Sequence, residues 1–386
     1  MAILQTIVVH HIMNIENFEN WKIDVLTEFE QLNQMKEEWN RLLFESQCDT
    51  INLRHEWLAT VWKYYTSFDK TAKLCVFCVR QPNNELIAIF PLMTVKVSFK
   101  LFFRIKQVCF LGQDFNDYSG FIIKKNCEKS VLNFFFRSIV ADSRYMNWDV
   151  LLFKNLSAKN EYLDYFRQLF MKELYDLEER VSTKYFYIKT NIGTFQDFFN
   201  ARSKNFRNDL RKCQNRLERF SIENNKKINV IFADDRILDK QFIAMLSGWQ
   251  IQRMKSVNKI SSLTNKPARD FRYDFITNYY EYVLTVTLNM DGNPIAFCVC
   301  LIYKKTLFFW IHGADPMFYF LSPNKIILGK IIEYCFSMGY EYCDFNRGDH
   351  EYKEKWTQDY NKGFLLRTYN FRNPLIKLFS RRKTNN

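Results

Sequence analysis

Residues 344–356 read Asp-Phe-Asn-Arg-Gly-Asp-His-Glu-Tyr-Lys-Glu-Lys-Trp, which brings acids, a histidine, a tyrosine and a lysine to the return from a strand. Asp344 ends that strand. Asp349 and His350 fall in the loop behind it, and Tyr352 and Lys353 open a short helix. Such a cluster could do proton-transfer or group-transfer chemistry, which needs a base for the attacking group, donors for developing negative charge and a proton for the leaving group. Asp349 or His350 suits the base, imidazole being matched to neutral pH. Tyr352 suits the proton donor or a substrate contact, and Lys353 a phosphate or carboxylate contact. An acid and a lysine in a loop also serve simply to pin it.

Two further segments carry chemistry. The apolar strand Leu307–Ile311 runs through His312-Gly313-Ala314-Asp315 to Leu321-Ser322-Pro323-Asn324, where a helix starts at Lys325. Ser322 suits the N-cap and Pro323 the first helical position. Free backbone N–H groups and the helix dipole then make Ser322, Pro323, Asn324 and Lys325 an anion site, or an ordinary helix start. Residues 201–220 form a basic helix with Arg202, Lys204, Arg207, Arg211, Lys212, Arg216 and Arg219. Phe206, Leu210, Cys213 and Leu217 give it one apolar face. A nucleic-acid helix has the same look, and so does a solvated face.

The pattern Asp-Phe-x-x-Gly-Asp-x-x-Tyr-Lys-x-x-Trp, ending on Trp356, resembles the CelD/BcsL-like branch of the GNAT acyltransferases, a branch related to the FemAB transferases. The likeness covers about residues 40–370, and only its last part is specific. It implies two GNAT-like α/β domains in tandem, each a mixed, largely antiparallel sheet flanked by helices. It also implies acetyl-CoA or another acyl-CoA as co-substrate, with the pyrophosphate at Ser322–Lys325, and no metal. Where relatives read Ser-Pro-Gly, this chain has Asn324 in place of the glycine. The pattern maps onto Asp344, Gly348, Asp349, Tyr352, Lys353 and Trp356, while His350 takes a variable slot. The Ser-x-x-x-Arg-x-x-Leu-Arg helix, here Ser203, Arg207, Leu210 and Arg211, places Arg207 and Arg211 at the acceptor cleft. Asp117 and Tyr118, in Gly112–Gly120, match a Gly then Asp-Tyr stretch that the resemblance places along the same cleft, and anchoring of the loop is the alternative. The acceptor is expected to be a small molecule or glycan, anionic, of sugar or envelope-polysaccharide type, acylated by direct transfer. The alternatives are a Fem-like transferase using aminoacyl-tRNA and a non-catalytic GNAT scaffold.

These residues need a frame. The chain of 386 residues carries a formal charge of +13, which suits a phosphorylated cofactor, nucleic acid or an anionic membrane. Its ten cysteines are scattered through apolar runs and read as free thiols of a reducing compartment. Cys75 and Cys78 face opposite ways on a strand, so they suggest no metal site. No run of 18 apolar residues is present, so the expected place is the cytoplasm, with contact to the inner face of a membrane through the tail. Helices are expected at 24–43, 55–66, 132–144, 161–180, 203–220, 239–255 and 326–338, with one helical turn at 275–279. Strands are expected at 74–80, 85–97, 107–112, 148–153, 228–232, 281–289, 295–303, 306–313, 342–345 and 364–370. This divides the chain into a domain at 1–185, a second at 186–372 with the acyl-CoA site, and a basic tail at 373–386. Because a helix joins them, the strands at 306–311 and 342–345 are expected to be parallel neighbours.

Overall fold

In the computed structural model of the protein, the described residues are 20–99, 103–172, 177–256, 258–374 and 376–377. The first half runs β1 (Lys22–Leu26), α1 (Phe29–Gln34), α2 (Lys36–Glu45), α3 (His55–Phe68), β2 (Lys73–Arg80), β3 (Leu86–Phe99) and β4 (Phe103–Phe110). It continues with β5 (Ile122–Ile123), α4 (Glu128–Phe134), β6 (Val150–Ser157), α5 (Leu163–Lys172) and β7 (Leu177–Lys189). The second half runs α6 (Phe195–Asn200), α7 (Lys204–Glu223), β8 (Ile228–Phe232), α8 (Lys240–Ser256), α9 (Lys266–Asn278), β9 (Val283–Met290) and β10 (Asn293–Tyr303). It ends with β11 (Thr306–Ala314), α10 (Pro323–Ser337), β12 (Tyr342–Arg347), α11 (Glu351–Trp356) and β13 (Tyr360–Tyr369).

One mixed sheet joins the halves in the order β1-β2-β3-β4-β6-β13-β7-β12-β11-β10-β9-β8, with β5 off the path on β3. Read from either edge, the succession is the same: four antiparallel strands, then a parallel partner. The two parallel pairs are β4 with β6 and β11 with β12, each joined through a helix. The expected parallel pairing of 306–311 with 342–345 is thus found. At the centre the halves exchange strands. β7 follows β6 in sequence but pairs with β13 and β12, while β13 follows β12 but pairs with β6 and β7. The expected division at 185/186 therefore falls inside β7, in mid-sheet and not in a linker.

Four expected elements differ: the helix at 132–144 is α4 continued by a π-helical stretch, Phe135–Val140, and three others change more. The helix at 24–43 begins as strand β1, because Ile23 and Val25 pair with Val79 and Phe77 of β2. The helix at 161–180 stops by Lys172, and residues from Leu177 belong to β7, whose pairing with β13 outweighs the helical pattern. The single turn at 275–279 is the end of the longer α9, capped by the Asn265 side chain on the Ala268 N–H. Trp57, Trp62 and Trp148, read as core, are buried. Trp57 of α3 packs on Phe275 of α9 at 4.8 Å and on Trp310 of β11 at 5.4 Å, so aromatic contacts also join the halves. From the tail, Ile376 is buried with Ile105 and Val150 of the first half. The basic run Ser380–Lys383 and the segment Met1–Val9 lie outside the described residues. Among the described residues no helix is long and apolar enough to cross a membrane.

The exchanged strands make each half depend on the other. A chain ending at Gln358 loses β13 and leaves long edges of β6 and β7 unpaired. It should yield aggregate or unfolded protein in size-exclusion chromatography and circular dichroism. A monodisperse product with the parent's melting temperature would contradict the exchange.

Candidate active site

β11 and β12 pair over only three residues, Thr306 with Tyr342, Leu307 with Cys343 and Phe308 with Asp344. Beyond that point they separate and leave an open wedge. A bulge in β11 shapes its wall: Val299 of β10 faces Ile311 and Cys300 faces Phe309, so Trp310 has no partner across the ladder. The extra residue reverses the alternation. His312, opposite Cys298, therefore shares the face of Leu307 and Phe309, the face that α7 and α10 cover. On the other side of the wedge Asn346 adopts φ +55° and donates its Nδ2–H to the Phe309 carbonyl at 2.7 Å. Lys353 Nζ, deep in the protein, donates to the carbonyls of Asn346 (2.9 Å) and Arg347 (2.8 Å). Burial pushes that ammonium down to about 8, against the opposing pull of Asp117. Gly348 has φ +117°, and a Cβ there would meet the His350 ring at 3.1 Å, so the turn favours glycine.

Two clefts meet at this wedge. The first, about 370 Å³, lies between α7 and the start of α10 and is lined by Phe206, Ser322, Pro323, Asn324, Lys325 and Trp356, among others. The second, about 690 Å³, lies between the halves and is bordered by Asp117, Lys259, Arg272, Arg347, Asp349 and His350, among others. Arg253, His312 and Tyr352 line both. The first cleft carries Arg253, Lys325 and Lys355 against Asp209, which pairs with Lys325. Ser322 takes a left-handed conformation (φ +56°), and its carbonyl accepts from the N–H groups of Lys325 and Ile326. Pro323 has no N–H, so the helix start offers the Asn324 N–H and fewer free donors than expected. The Asn324 Oδ1 is buried there without a partner.

The structure divides the sequence-predicted residues into groups. Tyr352 faces both clefts, and burial raises its phenol above the ordinary range. His350 lies in the second cleft, stacked on Tyr352 at 6.0 Å, its imidazole pushed down by burial and by Lys353. Asp349 borders the same cleft, but its Oδ1 accepts the Lys184 N–H at 2.7 Å and fastens the loop to β7. Asp344 points elsewhere: its carboxylate accepts the Tyr118 O–H at 2.6 Å and the Asn346 N–H at 2.7 Å. Burial raises the Asp344 carboxyl above the usual range. Asp117 pairs with Arg347 at 3.0 Å. Tyr118 and Asp117 thus fasten the loop of the first half to β12 of the second. Trp356 is buried edge-on against Phe206 at 4.8 Å and lines the first cleft. Arg207 and Arg211 line neither cleft. Arg207 donates to the carbonyls of Asn200 and Arg202, and Arg211 lies 5.4 Å from the Phe199 ring.

Other residues at the junction escaped the sequence reading. His312 reaches it only through the bulge at Trp310. Arg253 and Arg272 sit on α8 and α9, where basic residues among polar ones look like solvated charges. Neither makes an ion pair among the described residues. Arg272 donates to the Ala268 carbonyl at 2.8 Å, and burial pushes its guanidinium down to about 10. The second cleft therefore holds two arginines, Arg253 and Arg272, that no carboxylate meets in an ion pair among the described residues.

Residues 204–354 match the family described as acetyltransferase (GNAT) domain. No curated protein matches the chain. Among solved structures, one described as the crystal structure of FemX superposes with a TM-score of 0.58 at 10% identity, covering 93% of this chain and 99% of that one. L-PGS from Bacillus licheniformis gives 0.50 at 13% identity over 89% and 96%. A conserved protein of unknown function from Bacteroides thetaiotaomicron gives 0.50 at 10% identity over 90% and 100%. At such identities the likeness is one of fold. The domain match over 204–354 marks a transferase, and the split parallel strands and repeated half-sheet give the fold of two GNAT-like units in tandem.

The Tyr118–Asp344 contact makes a structural claim that can be checked. Tyr118→Phe removes the O–H and leaves a buried carboxylate short of a donor. It should lower stability by about 1–3 kcal/mol in urea or thermal unfolding. An unchanged stability would mean that the contact does not join the halves.

Proposed function

We propose that the protein transfers an acyl group directly from an acyl-CoA in the first cleft to an amine or hydroxyl of an anionic acceptor in the second. The observation that carries this reading is the meeting of the two clefts at Arg253, His312 and Tyr352. A donor thioester and an acceptor can approach each other there without an acyl-enzyme stage. Tyr352, kept protonated by burial, would be the group that protonates the departing thiolate. The helix start at Ser322–Lys325, with Lys325 and Lys355, would take the phosphates. Arg272 and Arg253 would hold a carboxylate or phosphate of the acceptor, the role that the family resemblance implied for Arg207 and Arg211. The likeness of 344–356 to the CelD/BcsL-like pattern supports a sugar or envelope-polysaccharide acceptor, and the scattered thiols and basic tail of the sequence support a cytoplasmic place at the inner face of a membrane.

A specific observation favours a second reading, aminoacyl-tRNA as donor. The start of α10 has few free N–H groups, and Asn324 places a side chain where a pyrophosphate would approach. The exposed Lys204, Arg211, Lys212 and Arg219 of α7 add positive charge along the same helix that walls the first cleft.

Calorimetric titration with acetyl-CoA separates the two. Binding at micromolar to millimolar ligand is expected for the first reading. Its absence in folded protein, with tRNA binding that weakens steeply with salt, would favour the second. Tyr352→Phe should leave acetyl-CoA binding nearly unchanged and lower kcat by roughly ten- to a thousand-fold. Arg272→Gln should act on acceptor KM. If Arg272→Gln leaves acceptor KM unchanged, the anionic-acceptor assignment is wrong.

A further inference from the structure

The acyl-transfer reading, on which this inference rests, needs a group that removes the acceptor's proton. We infer that His312 is that group, and that Arg253, which borders the same two clefts, couples it to the negative charge of the acceptor.

Position comes first. His312 stands where the clefts join, and among the described residues no protein group hydrogen-bonds its imidazole. Its nearest ring neighbour is Tyr352, 6.0 Å away between centroids. A free lone pair at that point would be open to an acceptor in the second cleft that attacks a thioester in the first. The competing groups are committed or misplaced. Asp349 holds the Lys184 N–H, Asp344 holds Tyr118, and Asp117 holds Arg347. Asp209 borders the first cleft but is paired with Lys325. His350 and Glu351 border the second cleft only.

The charges around His312 then decide when it acts. Arg253 faces it from α8, Lys353 and Tyr352 from α11, His350 from the loop before α11, and Cys298 from β10. Burial, with Arg253, Lys353 and His350 adding repulsion, pushes the imidazole down to about 3. So weak a base is a poor proton acceptor. An acceptor whose carboxylate or phosphate pairs with Arg253 and Arg272 offsets part of that repulsion and raises the basicity of the ring. His312 is thus a base that its own substrate strengthens, and an uncharged acceptor would meet a weak one.

For a neutral amine the bookkeeping is simple. The nitrogen lone pair attacks the thioester carbon, and the new C–N bond replaces the C–S bond. His312 takes one N–H proton, and the thiolate takes the Tyr352 proton. The phenolate is then reprotonated from the imidazolium through water. The products are an amide and a free thiol, with the enzyme restored.

The test has two arms. In the first, the imidazole resonances of the protein are titrated by NMR, with His312→Gln used to assign the ring. Inorganic phosphate serves as the probe of the anion site. The His312 pKa should lie well below 6.5 without phosphate, rise by at least one unit with saturating phosphate, and not rise in Arg253→Gln. An identical pKa with and without phosphate overturns the coupling. In the second arm, acetyl transfer from acetyl-CoA is measured with glucosamine 6-phosphate and with glucosamine. The phosphorylated amine should be favoured by at least tenfold in kcat/KM. His312→Gln should lose about a hundred- to ten-thousand-fold in kcat, the range for loss of a proton-transfer group, while still binding acetyl-CoA. A His312→Gln protein as fast as the parent overturns the inference alone. A parent protein that acylates neither amine and binds no acetyl-CoA overturns the acyl-transfer reading and this inference with it, and one that binds acetyl-CoA but acylates neither amine overturns this inference alone.

Discussion

The site depends on one constraint: β11 and β12 are hydrogen-bonded for three residues and then must stay apart. Two parallel strands left to themselves would continue to pair, since each unpaired backbone group buried from water is costly. Here the separated backbones find other partners. The Phe309 carbonyl accepts from the Asn346 side chain, and the carbonyls of Asn346 and Arg347 accept from Lys353. The bulge at Trp310 adds a kink on the β11 side. Lys353 is thus a structural cation, placed where an unpaired carbonyl pair would otherwise hold the wedge at a cost. The price of the arrangement is an ammonium in low dielectric, visible in its lowered pKa.

The second constraint is the strand exchange at the sheet centre. Because β7 and β13 cross over, the wedge of the second half is bounded by a strand of the first. The loop at Asp117 and Tyr118 then closes the space, through Arg347 and Asp344. The second cleft therefore exists only between the halves. The first half has the same split pair, β4 and β6, but fills the space with aromatic rings: Phe110 and Phe153 lie 4.9 Å apart, with Phe121 packed on both. The repeat has thus kept its frame in both halves and an open wedge in one.

Charge follows the same logic. On the basic helix α7, Arg207 turns back to carbonyls near the helix start, and Arg211 lies over an aromatic ring. The arginines that face the clefts without an ion pair, Arg253 and Arg272, come from α8 and α9, outside the basic helix α7. A guanidinium earns a functional reading from the space it faces, and the density of arginines in a segment is a poor guide to that.

Much was determined by the sequence alone. The alternation in β2, β3, β9, β10 and β11 and the apolar faces of α3, α7 and α10 are local patterns, so these elements and the parallel pairing of β11 with β12 were readable. The cluster at 344–356 and the helix start at Ser322 were also marked by residue type and spacing, and Tyr352 and Ser322–Lys325 do reach the clefts. What the tertiary structure decided is which of these residues meet. β1 and β7 are strands because of partners distant in sequence, and local periodicity does not record a partner. Asp344 and Tyr352 are eight residues apart yet face different spaces, because the wedge turns the chain at Asn346 and Gly348. His312 reaches the junction because a single unpaired residue in β11 reverses which face it occupies. A strand's alternation is set by its ladder, and the ladder belongs to two strands at once.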